Sequence, residues 1–332
     1  MPEIRQNIVT REWAIIATER ARRPEQFVRA DVRHTAELPP FDMSCPFCPG
    51  NEELELEQLR LPAGDMWQLR VVTNRYPALR ADAAGARQNN GPYVAIGGVG
   101  YHEVVIETPL HNISPALESP AMVEQTLLAF QVRSAVYRQN ALIEHIVYFK
   151  NHGPSAGTSL VHPHAQIVAL PVVPTDIRAR SEQGRHYFDE HGICSLCRML
   201  QYEEEAGLRI VDQSDHYTAF VPYAALSPFH LWIVPRRHVA SFSNTSAAEI
   251  ADLALVLRNV LRRLYFGLND PDYNYVIRSA PEAEHAARHT HWYISVVPRV
   301  THTAGFELGT GMYINTALPE ASAQFLRDVQ LP

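Results

Sequence analysis

Apolar positions along this chain fall into two textures. Four segments read as strands closing on or near a proline: HEVVIETPLH (102–111), HPHAQIVALP (162–171), HLWIVPRRH (230–238) and HTHWYISVVP (289–298). Two others carry the three-to-four spacing of a helix. Residues 119–139 open on Ser119-Pro120, an N-cap followed by proline at the first helical position, and place Val123, Leu127, Phe130, Ser134 and Tyr137 on one face. Residues 246–264 open on the capping box Ser246-Ala-Ala-Glu249 and present Ile250, Leu253, Leu257, Val260 and Leu264. A β-rich run follows each helix, EHIVYFK (144–150) and YNYVIRS (273–279).

These elements recur in one order. Each half holds a CxxC pair (Cys45/Cys48, then Cys194/Cys197), a strand ending in a proline with a histidine two or three residues on, a helix, a strand, and a His-x-His that opens a strand closing at proline. In both last segments the proline stands nine residues after the first histidine. The pattern predicts a duplicated unit, and two copies should join as a pair of domains rather than stack as a solenoid. Hairpins with one helix on a face give an α+β class with mostly antiparallel sheets. The expected domains are 1–178 and 179–332, divided in the polar stretch 176–192.

Composition narrows the function. The 332 residues carry 29 Lys+Arg against 36 Asp+Glu, a net charge of −7, which argues against a dedicated nucleic-acid binder. No apolar run reaches the roughly eighteen residues of a membrane span, and the N-terminal charges break up any leader-like stretch, so a cytoplasmic location is expected. Sixteen histidines beside four cysteines fit chemistry rather than disulfides. A CxxC turn can present two thiolates to one Zn²⁺, and a thioredoxin-like setting for a redox pair is missing. The repeat offers His111 and His162 to the first pair, and His238 with His289 or His291 to the second. Both would be closed, structural Cys₂His₂ zinc sites.

His162 and His164 are two apart, so a strand would put them on one face with Gln166 next along it. One histidine can then be fixed by metal while His164 offers a neutral imidazole nitrogen to phosphorus and Gln166 an amide donor to developing charge. The Gly/Ser-rich loop 151–159 suits backbone contacts to phosphate. The competing reading, two more zinc ligands, leaves Gln166 and the loop unexplained. No Walker A or dinucleotide-binding glycine motif is present, and Gly97-Gly98-Val99-Gly100 reads as a turn before a strand.

Arg20-Ala-Arg-Arg-Pro24, CPFCPGNE (45–52), NRYPAL (74–79), GYHEVVIE (100–107) and HPHAQ (162–166) together resemble the galactose-1-phosphate uridylyltransferases, the transferase branch of the histidine-triad superfamily. The resemblance implies two histidine-triad-like halves, a homodimer, and ping-pong nucleotidyl transfer between a nucleotide sugar and a hexose 1-phosphate. It makes His164 the nucleophile and Gln166 the donor to the α-phosphate, with Cys45, Cys48, His111 and His162 holding zinc. Asn74, Asn151 and Ser159 would line the nucleotide and phosphate site, with Arg20 and Arg23 facing phosphates or sugar.

The second CxxC, Pro-Arg-Arg-His238, Thr-His291-Trp-Tyr and GFELGTGMYIN (305–315) look more like the ADP-glucose phosphorylase branch, which moves AMP from ADP-glucose to inorganic phosphate. That likeness maps the second zinc onto Cys194, Cys197, His238 and His291. UDP-glucose:galactose-1-phosphate uridylyl transfer is the expected activity, with the ADP-glucose reaction as the alternative. A non-catalytic zinc or nucleotide module would bind without transfer. A histidine-triad hydrolase would want a third histidine where Gln166 stands.

Overall fold

A computed structural model of the chain describes residues 2–17, 19, 23–28, 38–64 and 66–332. The first half runs β1 (Glu3–Gln6), β2 (Trp13–Ile16), β3 (Glu57–Leu61), β4 (Leu69–Thr73), β5 (Arg87–Asn90), β6 (Tyr93–Ile96), β7 (Tyr101–Ile106), α1 (Pro120–Tyr137), β8 (His145–His152) and β9 (His164–Leu170). Two helices follow, α2 (Thr175–His191) and α3 (Ser195–Ala206). The second half then runs β10 (Ile210–Gln213), β11 (Tyr217–Phe220), β12 (Leu231–Pro235), α4 (Ala247–Leu268), β13 (Tyr273–Arg278) and β14 (Tyr293–Pro298), closing with α5 (Gly305–Thr310), β15 (Tyr313–Asn315) and α6 (Pro319–Asp328).

The fold is α+β. Ten strands form one antiparallel sheet in the order β10-β11-β12-β14-β13-β8-β9-β7-β4-β3. Read inward from either edge, the two halves follow the same plan and meet where β13 pairs with β8, Tyr273 opposite His152. The duplication is therefore built as one continuous sheet. Helices α1 and α4 lie side by side on one face, each capped as its sequence predicts: Ser119 accepts from Met122 N–H, and Ser246 exchanges bonds with Glu249. Under them lies the main core, in which Leu127, Phe130, Tyr148 and Ile167 of the first half are continuous with Leu253, Leu257, Tyr275 and Ile294 of the second. Burying such side chains is worth roughly 1.5–3 kcal/mol each, before chain entropy is set against it.

The polar stretch 176–192, expected as a boundary, is largely the helix α2, and position 178/179 falls inside it. Its buried residues are Ser181 and Gly184, too few and too small to print an apolar stripe. Gly184 lets the helix close on the opposite chain, where a Cβ would stand 2.7 Å from the His289 carbonyl oxygen. The N-terminal strands also cross over to the second half: β2 pairs in parallel with β15, and Arg5 reaches Glu320 at 2.9 Å.

Candidate active site and metal centres

The histidine pair straddles the start of a strand, with both rings against Phe47 at centroid distances of 6.0 and 5.4 Å. β9 begins at His164, because Pro163 has no N–H to extend the ladder. His162 lies before the strand and turns toward the CxxC loop, while His164 faces a groove.

Two clusters of thiols and imidazoles converge. Cys45, Cys48, His111 and His162 form one, and Cys194, Cys197, His238 and His291 the other. In each, all four ligand atoms lie within 4.8 Å of one another. In the first, His162 Nδ1 stands 3.8 and 3.6 Å from the Cys45 and Cys48 sulfurs, and His111 Nδ1 stands 3.5 Å from Cys48. In the second, Cys197 Sγ lies 3.3 Å from His238 Nδ1 and 3.4 Å from His291 Nδ1. These edges match a tetrahedron of bonds of roughly 2.0–2.3 Å around a metal. His162 Nε2–H donates to the Thr108 carbonyl at 2.8 Å, which leaves Nδ1 as a lone pair aimed at the cluster. Burial pushes the Cys45 thiol up to about 11, so a thiolate there calls for a cation beside it. His289 lies outside the second cluster, 3.3 Å from Ser181 Oγ and 3.5 Å from Glu284.

His164 is almost fully buried, and its ring has one defined direction. Nδ1–H donates to the His162 carbonyl at 2.8 Å, leaving Nε2 free toward the groove. Burial, reinforced by the Lys150 charge and opposed by that hydrogen bond, pulls the imidazole down to about 4, so it is neutral near pH 7. The groove has two lobes of about 360 and 350 Å³ that share His164, Ser159 and Leu160. One is floored by Asn151 and the loop 152–161; the other is lined by Phe47, Arg70, Asn74 and Gln166. Such volumes suit a small organic ligand of nucleotide type.

The structure thus brings His164, Gln166, Asn74, Asn151 and Ser159 to one groove. Arg23 is exposed at the start of a short 3₁₀ turn and is not among the groove's lining residues, and Arg20 lies outside the described residues.

Three partners escaped the sequence reading. Lys150, fully buried, donates to both Glu107 and the His164 carbonyl oxygen (2.9 Å), so it holds the strand end on which the imidazole sits. His102 accepts the Ala78 N–H at Nδ1 (3.1 Å), so its proton is on Nε2, 2.9 Å from Gln166 Oε1. The Gln166 oxygen is thereby used, and its NH₂ is left for the groove. Asn274, from the second half, donates to Asn151 Oδ1 at 2.7 Å and to the Ala156 carbonyl at 2.8 Å. This frees the Asn151 NH₂ and ties down the loop, where Gly157 adopts φ +91. A lysine, a histidine and an asparagine on strands look like ordinary sheet residues until pairing registers are known.

Two family models match the chain. That for the galactose-1-phosphate uridyl transferase N-terminal domain matches residues 1–174, and that for the C-terminal domain matches 180–330. The chain belongs to this family. It is an enzyme, a nucleotidyltransferase. It is 38% identical to ADP-glucose phosphorylase of Arabidopsis thaliana, over 99% of this chain and 93% of that one. It is 30% identical to galactose-1-phosphate uridylyltransferase of Thermotoga maritima, over 100% and 99%. A crystal structure of ADP-glucose phosphorylase from Arabidopsis thaliana with bound ADP-glucose superposes with a TM-score of 0.83, at 34% identity and full coverage of both chains. Among the described residues no helix is long and apolar enough to cross a membrane.

Proposed function

We propose that this protein transfers a nucleotidyl group from a nucleotide sugar through a covalent intermediate on His164. The observation that carries this reading is the single free nitrogen of that ring: Nδ1–H is engaged by the His162 carbonyl, and Nε2 is unprotonated and opens onto the groove. Nε2 attacks the α-phosphorus, the bond from that phosphorus to the bridging oxygen breaks, and hexose 1-phosphate leaves with the electron pair. The Nδ1–H bond to a carbonyl steadies the positive charge that the ring acquires. The Gln166 and Asn151 amides donate to the non-bridging oxygens, where charge grows. In the second step an acceptor oxygen attacks the same phosphorus and the P–N bond breaks. Asn74 and Ser159 serve the bound nucleotide in the same reading, and Arg20 and Arg23 its phosphates or sugar.

Zinc is proposed in both clusters. It would fix His162, and through the His162 carbonyl the tautomer of His164. The division at 178/179 assigns the nucleophile to the first half and a supporting residue, Asn274, to the second. Assembly as a homodimer, which rests on the resemblance, and a cytoplasmic location are part of the proposal.

For substrates, the 38% identity to an ADP-glucose phosphorylase and the second Cys₂His₂ cluster support ADP-glucose as donor and phosphate as acceptor. UDP-glucose and galactose 1-phosphate are the second pair, supported by the match to the uridylyltransferase family models along both halves. Release of glucose 1-phosphate from each nucleotide sugar, with and without each acceptor, tests the assignment. Phosphate-dependent turnover of ADP-glucose is expected; turnover of UDP-glucose alone, driven by galactose 1-phosphate, would overturn it in favour of the second pair.

A further inference from the structure

The second half carries a cavity at the place that corresponds to the groove in the first. Arg278, the last residue of β13, pairs with Tyr293, the first of β14. The register of β8 and β9, carried two residues beyond Phe149–Gln166, sets Asn151 opposite His164 in the same way. Because β8 and β13 run antiparallel, the two places lie at opposite ends of the central strands. Where the first half has an asparagine and the nucleophile, the second has an arginine and a tyrosine.

Arg180, from α2, joins Arg278 in lining this cavity, which measures about 60 Å³. Ser181, Ser279, Thr290 and Tyr293 line it too, and Cys194 and His291 of the second cluster form part of a wall. Arg180 Nη1 and Arg278 Nε are buried with no hydrogen-bond partner, as is Thr290 Oγ1. No carboxylate among the described residues lies within 4.0 Å of either guanidinium. Tyr293 first, and then Glu12 and Asp176 through space, hold the Arg180 guanidinium above its ordinary value, and the same three act on Arg278. Glu284, the nearby acid, is taken up by Ser181, Arg185 and His289. Burial, and then the charge of Arg180, pulls the Arg278 guanidinium below its ordinary value. Their joint field also helps hold His230 down, and that of Arg278 does so at His145, after burial in each case.

Two cations confined together with only distant carboxylates and no direct ion pair are costly unless something anionic joins them. Forked N–H donors beside hydroxyls match a tetrahedral oxyanion, and the cavity has room for one. We propose that Arg180 and Arg278 form a second oxyanion site, separate from the groove, that binds phosphate or the phosphoryl group of a small phosphomonoester. The site owes nothing to nucleotidyl transfer, so it stands or falls independently of that reading.

Titration of the full-length, metal-loaded protein with inorganic phosphate, followed by calorimetry and thermal melting, tests it. An Asn151→Ala/Gln166→Ala variant removes donors from the groove and should keep one saturable phosphate site. Arg278→Gln or Arg180→Gln should weaken that site by about tenfold or more. At phosphate about 100-fold above its dissociation constant, the melting midpoint of the wild type should rise by several degrees, and that of Arg278→Gln should not. Without phosphate, Arg278→Gln should melt no lower than wild type, since it relieves like-charge repulsion. Glucose 1-phosphate in place of phosphate separates the sources: competition shows that an ester is accepted, and its lack shows a site for the free ion. Phosphate binding unchanged in both arginine variants would overturn the proposal. So would a melting point lowered equally with and without phosphate, the mark of arginines that pair with a protein carboxylate.

Discussion

Gln166 Oε1 lies 2.9 Å from His102 Nε2, and the Ala78 N–H, 3.1 Å from His102 Nδ1, decides which of that histidine's nitrogens carries the proton. A backbone amide thus determines, through one imidazole, that the side-chain amide of Gln166 shows its NH₂ rather than its oxygen to the groove. His102→Phe keeps the ring's bulk but removes this control. We expect kcat to fall by about tenfold, less than the roughly 10²–10³ typical of losing an oxyanion donor outright. Gln166→Ala should cost more, and the double variant should cost little beyond Gln166→Ala alone. Additive losses in steady-state kinetics would show that His102 acts by another route.

Lys150 and Glu107 are both buried, and Lys150 also bonds the His164 carbonyl. Lys150→Met leaves the Glu107 carboxylate buried and unpaired, which should cost about 3–5 kcal/mol in denaturant unfolding. Adding Glu107→Leu should recover much of that loss. It should not recover activity, because the end of β9 remains untethered. Recovery of both would reduce the pair to a structural role.

Asn274 belongs to the second half yet holds Asn151 of the first. Asn274→Ala should raise the KM for the nucleotide sugar several-fold with a smaller effect on kcat, because it loosens a ligand contact rather than the nucleophile. Unchanged KM would separate the two asparagines functionally.

Metal removal should unfold rather than merely inactivate. A structural Zn²⁺ in a small peptide is worth about 10–16 kcal/mol of apparent free energy, as much as a domain's whole stability. Chelation, or Cys45→Ser, should abolish the cooperative melt of the metal-bound protein, with metal content followed by elemental analysis. A metal-free protein with an unchanged melt and full activity would contradict structural zinc.

Acid should weaken the fold through histidines buried as neutral rings. Burial, and next Arg278, hold His145 down at about 4; His230 is held near 3 by burial and by Arg278 and Arg180. Each is protonated more readily in the unfolded chain, near pH 6.5. Their stabilisation is therefore complete above that pH and is lost as pH falls, toward 4 for His145 and toward 3 for His230, of order 3 kcal/mol for His145. Stability measured against pH should decline over that window, and less steeply in His145→Phe.

Much of this fold was legible because the chemistry recurs in order. Ser119 and the Ser246–Glu249 box marked the two large helices, and the repeated Cys-x-x-Cys, each with a proline and histidine closing a later strand, led to the two clusters. What stayed hidden had physical reasons. α2 buries Ser181 and Gly184, so no apolar period announces it. Pro163 stands just before β9 and leaves His162 outside the ladder, which two-residue alternation does not foresee. His102, Lys150 and Asn274 gain their tasks from cross-strand register, and the edge-to-edge joining of the halves at β8 and β13 is a property of pairing that neither half prints alone.

The central claim is a covalent nucleotidyl group on His164. Incubation with ADP-glucose or UDP-glucose labelled with ³²P at the α-phosphorus, followed by denaturation, measures it most directly. The account predicts acid-labile, base-stable label on the wild-type protein, mapped to the peptide containing His164, released by the acceptor and missing from His164→Gly. Label retained by His164→Gly, or turnover without any trapped label, would contradict it.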